Sequence, residues 1–154
     1  MHGNYKKALF NHPDKLLSTV LGLVAIHSLG MGLILISQPA VLMKSAGFSP
    51  DCERFFPAQG GVFHLLLFVV YLMGATHIEK YYYFIVFSIF VKAVAAFFLT
   101  IYCFAAEFKW IVFLSGIGDG VMGLMIFFTL LFFETYFSIL FTWVNLNRQC
   151  VFGR

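Results

Sequence analysis

Residues 81–133 read YYYFIVFSIFVKAVAAFFLTIYCFAAEFKWIVFLSGIGDGVMGLMIFFTLLFF: two apolar runs joined by the short turn Ala106-Glu107-Phe108-Lys109, each run broken by a single charge. A helix rises 1.5 Å per residue, so about 20 apolar residues match a hydrocarbon core of about 30 Å. Both runs reach that length, over about 81–105 and 111–133. The short turn makes them antiparallel neighbours. Tyr81-Tyr82-Tyr83 and Trp110 fall where an interfacial aromatic belt belongs. The charges inside the runs, Lys92 and Asp119, are expensive in hydrocarbon and are therefore functional candidates.

Upstream lie two more runs of the same kind, about 16–37 and 58–76. Pro13-Asp14 stands before the first as a helix start. The segment between them holds Pro39, Gly47, Pro50 and Pro57 and reads as a loop, with a short interfacial helical turn over Ala40–Ala46. His77-Ile78-Glu79-Lys80 turns the second span into the third. After Phe133 the chain is too short for a fifth span. There Ser138, Thr142, Asn145 and Gln149 form one polar stripe on an otherwise apolar surface. That pattern predicts an amphipathic helix at about 135–147, lying in the interface or on the bundle. The expected fold is all-α: a four-helix transmembrane bundle with an interfacial amphipathic C-terminal helix, 1–154 forming a single integral membrane domain.

The bulk composition agrees. The 154 residues are 61% hydrophobic and 11% charged, against about 25% charged in soluble domains. The net charge of +3 is not clustered, so nucleic acid is not an expected partner. The first apolar run is longer than a signal-peptide core and no clean small-x-small site follows it, so the first helix is expected to stay. Six basic residues (Lys6, Lys7, Lys15, Lys80, Arg148, Arg154) fall on the side of the termini and three (Lys44, Arg54, Lys109) on the other. The positive-inside rule then puts both termini in the cytoplasm. Cys52, Cys103 and Cys150 form no CxxC, which argues against a dithiol enzyme or a zinc ribbon.

Candidate chemistry is confined to the spans. Gly116, Asp119, Gly120 and Gly123 recur at i, i+3, i+4, i+7, a small-residue stripe suited to close helix packing. Asp119 should therefore face the interior. On the third span Ser88, Lys92, Ala95 or Ala96, Leu99 and Cys103 form a matching stripe. Counted from the turn, Lys92 and Asp119 differ in depth by roughly 7 Å, within reach of a lysine. An ion pair is expected. Such a pair either fixes register or belongs to a working site. His64 shares its face with Gly60 and Tyr71 and should lie near the depth of Asp119. His27 lies mid-span in the first helix and is expected inside the bundle. Hydrogen-bonded interior histidines, a proton relay and a b-type haem ligand pair are all compatible with these two. No HxxxH or ExxH spacing points to a metal, no nucleophile–base pair is visible, and the cofactor stays open. Ser115–Gly120 superficially resembles a phosphate loop, but no strand precedes it.

PAVLMKSAGFSP (39–50), PAQGGVFHLLLFVVYL (57–72), VKAVAAFFLTIY (91–102) and LSGIGDGVMGLMIF (114–127) together resemble the layout of the small four-span DoxX-like membrane proteins. That resemblance implies a bacterial-type inner membrane and an accessory role beside a membrane-protein partner or within a homo-oligomer. It supplies no catalytic residues. The functional expectation is a non-enzymatic accessory subunit or small-ligand-binding bundle with a polar site at His64, Lys92, Asp119 and His27. The alternatives are a proton-coupled carrier using the first three, or a membrane enzyme or redox carrier acting on a lipid or quinone.

Overall fold

The computed structural model describes residues 13–48, 54–105 and 108–152, with only the backbone course given for Leu140 and residues 143–152. Lys6, Lys7, Pro50, Cys52, Ala106, Glu107 and Arg154 lie outside the described residues, as do the side chains of Asn145, Arg148, Gln149 and Cys150. Among the described residues there are five helices: α1 (Pro13–Ser37), α2 (Ala40–Ser45), α3 (Phe55–Thr76), α4 (Tyr82–Ala105) and α5 (Trp110–Phe152). The described residues contain no strand. The four long helices are each long and apolar enough to cross a membrane. The bounds follow the sequence cues. Proline opens α1 and α3 within their first turns, and Gln38 at φ 44° followed by Pro39 ends α1.

The helices form a four-cornered bundle. α1 packs on α3 and on α5, α4 packs on α3 and on α5, and the backbones of the diagonal pairs stay apart. Two seams are set by glycine. At the α1–α3 crossing, a Cβ on Gly61 would stand 2.7 Å from the Gly32 carbonyl oxygen, and one on Gly32 would stand 3.0 Å from that of Gly61. At the α4–α5 seam the predicted stripe does its packing: Gly116 faces Leu99 and Ala96, Gly120 faces Ala96, and Gly123 faces Lys92. Gly118, off that stripe, has nothing within 4 Å of a built Cβ. Gly118→Ala should therefore be neutral or raise stability by up to about 1 kcal/mol, by relieving the helix cost of glycine. Thermal melting in detergent measures it.

The separate C-terminal helix expected at about 135–147 is not formed. α5 runs unbroken from Trp110 to Phe152. The reason is local: between Gly123 and Gly153 there is neither glycine nor proline to end it. Its 43 residues span about 65 Å, twice the hydrocarbon core. The Tyr82 hydroxyl donates to the Glu134 carboxylate where α5 passes the terminus-side end of the bundle. Beyond Glu134 the helix continues, with Phe137, Ile139 and Phe141 exposed.

The buried apolar cluster lies toward the termini. It comprises Leu17, Val20, Leu21, Val24 and Ala25 of α1, Tyr71 of α3, Ile78, Ile85 of α4, and Ile126 and Leu130 of α5. Across the loop-side ends, Lys109 reaches the Gly47 carbonyl at 3.4 Å and stands 4.6 Å over the Phe48 ring, tying the α2 segment to the α4–α5 turn.

Candidate functional site

All four long helices contribute a polar side chain near one level. Leu21, Gly74 and Ile85 meet at a common height, since a Cβ on Gly74 would touch both neighbours. Seven residues further along α1 is Ser28; seven further along α4 is Lys92. Both rise about 10 Å above that contact. Ser28 Oγ donates to the His64 carbonyl at 3.0 Å and lies 3.3 Å from His64 Nδ1, which brings α3 to the same level. Lys92 Nζ pairs with Asp119 Oδ1 of α5, as the spacing predicts. The pair is deeply buried, Lys92 2% and Asp119 7% exposed. Glycine makes this possible: Gly123 lets the Lys92 stem lie flat on α5.

Tyr71 adjoins the layer on its terminus side. Lys92 Nζ stands 5.7 Å from the centre of its ring. Tyr71 is wholly buried, and among the described residues its hydroxyl has no hydrogen-bond partner. A buried donor left unpaired costs about 1–3 kcal/mol, so this hydroxyl is the unexplained polar atom of the bundle interior.

His27 is not part of the interior. The buried face of α1 is the stripe Leu17, Leu21, Val24, Ser28 and Gly32. One residue is a 100° turn, so His27 falls outside that stripe and is exposed. Ser28 takes the interior place that the sequence reading gave to His27, and His27 and His64 do not share one buried space. Ser28 and Tyr71 were legible only as neighbours of the histidines. Their signal is spacing, Ser28 seven residues on from Leu21 and Tyr71 seven on from His64. Ser28→Ala should cost about 1 kcal/mol and release the imidazole, a change visible as a shifted His64 ring signal in NMR.

The two sides of the layer differ in packing. Toward the termini the buried side chains are large: Leu17, Leu21, Tyr71, Ile85 and Ile126. Toward the loops, the buried positions among the described residues are Gly32, Ala46, Gly61, Cys103 and Gly116, none larger than cysteine. The layer thus rests on an apolar plug of large side chains, and on its loop side the helices close on one another through small residues.

This arrangement defines an all-α integral membrane protein with a charged, hydrogen-bonding layer inside its bundle. Comparison of the chain with known protein families, curated proteins and solved structures finds no match.

Proposed function

We propose that the protein is a non-enzymatic membrane bundle that binds a small polar ligand at the layer formed by Ser28, His64, Tyr71, Lys92 and Asp119. The observation that carries this reading is the wholly buried Tyr71 hydroxyl, without a hydrogen-bond partner among the described residues, beside a buried ion pair. An ion pair that only fixed register would not need a free donor next to it. The plug of Leu21, Ile85 and Ile126 supports a site closed toward the termini. The layer offers a phenolic donor, the remaining ammonium hydrogens of Lys92 and an imidazole. A ligand rich in acceptor oxygens fits that set.

In this reading the protein sits in a bacterial-type inner membrane with both termini cytoplasmic. It works as an accessory subunit beside a membrane-protein partner or as a homo-oligomer, in the manner of the DoxX-like proteins it resembles. The apolar α5 extension past Glu134 supports such a contact. Native mass spectrometry of gently extracted protein tests the ligand. The wild type should carry an added small mass, lost in Tyr71→Phe and in Lys92→Met. A bare wild-type mass would overturn ligand binding. A proton-coupled carrier is the second reading, favoured by the Ser28–His64 link in the same layer as the charges. It requires a protein-dependent proton flux in proteoliposomes that His64→Ala abolishes.

A further inference from the structure

A second polar feature lies at the other end of the bundle and owes nothing to the mid-membrane layer. A cleft of about 620 Å³ opens between the start of α1 and the α3–α4 turn, lined among others by Asp14, Lys15, His77, Glu79 and Lys80. Its size falls within the range of small-ligand sites, about 300–1,000 Å³. Its place is the terminus-side end of the spans, where α1 begins, α3 ends and the tyrosines of 81–83 stand. That is the headgroup level of the bilayer.

The chemistry of the lining is balanced. Two carboxylates, Asp14 and Glu79, and two ammonium groups, Lys15 and Lys80, line it. The neutral hydroxyls spend their hydrogens on the backbone: Ser18 on the Ala75 carbonyl at 2.6 Å, Thr19 on that of Lys15 at 2.7 Å, Thr76 on that of Met73 at 3.0 Å. Selectivity therefore falls to the charged groups. Asp14 Oδ1 is buried and, among the described residues, has no hydrogen-bond partner. It needs an N–H or O–H donor. One to two turns from Ala75 and Thr76 along α3, Leu72 and Val69 expose an apolar surface.

We infer that this cleft binds the headgroup of a phosphatidylethanolamine lipid, its ammonium on Asp14 and Glu79, its phosphate on Lys15 and Lys80, and its chains along the exposed Val69 and Leu72 of α3. A zwitterion matches a cleft of cancelling charge; an anionic headgroup would leave both carboxylates facing like charge. A choline headgroup carries no N–H to satisfy Asp14 Oδ1, and quaternary ammonium recognition calls for an aromatic cage.

The experiment is native mass spectrometry of the full chain in detergent. The protein is offered equal amounts of phosphatidylethanolamine, phosphatidylcholine and phosphatidylglycerol with identical chains, and separately soluble glycerophosphoethanolamine. Phosphatidylethanolamine should be retained about tenfold over phosphatidylcholine, the weight of one hydrogen bond to a charged group. That ratio should fall toward one in Asp14→Ala and in Glu79→Gln. Glu79 lies in an exposed turn, so its variant decides the matter if Asp14→Ala fails to fold. Equal retention of the ethanolamine and choline lipids, preference for phosphatidylglycerol, or an unchanged ratio in the folded variants would overturn the assignment. Binding of the soluble headgroup as tightly as the lipid would also overturn it.

Discussion

Asp119→Asn is expected to destabilise the bundle by about 3–5 kcal/mol, because it leaves the Lys92 ammonium buried without its counter-charge. A lone charge mid-membrane already costs about 2.5–3.5 kcal/mol on insertion scales. Adding Lys92→Met removes the orphaned charge and should recover part of the loss, since an apolar pair of similar volume often replaces a buried ion pair at little cost. The double-mutant cycle then shows a coupling well above the scatter of independent sites, about 0.5 kcal/mol. Thermal or denaturant unfolding in detergent measures all four corners. Simple additivity would mean that the two groups do not interact, against the pairing of Lys92 Nζ with Asp119 Oδ1.

The second large effect lies at the α1–α3 crossing. Gly61→Leu should destabilise the bundle by more than the about 1–3 kcal/mol of ordinary overpacking. Its Cβ would sit 2.7 Å from the Gly32 carbonyl oxygen and 3.0 Å from the Ile36 nitrogen, and backbone cannot rotate aside as a side chain can. The helices must part, and the Ser28–His64 hydrogen bonds one turn away part with them. Gly30→Leu on α1, two residues from Gly32, is the control, because nothing lies within 4 Å of its built Cβ. A melting temperature lowered equally by both would contradict a glycine-gated seam.

Much of this was legible before any coordinates. Length and apolarity give the four spans, because hydrocarbon thickness leaves little freedom in where a span starts and stops. The Lys92–Asp119 pair follows from two rare charges on helices joined by a short turn. The Gly116, Gly120 and Gly123 stripe follows from spacing on one helix. What was hidden depends on rotation and on continuity. His27 and Ser28 are neighbours in sequence, and only the angle of α1 about its axis decides which one meets His64. Gly32 and Gly61 are ordinary glycines until the crossing point of α1 and α3 is known. The polar stripe from Ser138 to Gln149 suggested a separate helix, but a stripe does not break a helix; that takes glycine or proline, and there is none between Gly123 and Gly153.

The central claim is that the buried layer beside the Lys92–Asp119 pair is an occupied polar site, and Tyr71→Phe bears on it most directly. The substitution keeps the ring under Lys92 and removes only the hydroxyl. If that hydroxyl bonds to a ligand held in the layer, its loss should lower the unfolding free energy by about 1 kcal/mol and lower the melting temperature of gently extracted protein. If the hydroxyl is merely buried and unpaired, its removal relieves a desolvation cost, and a variant more stable than the wild type would contradict an occupied site.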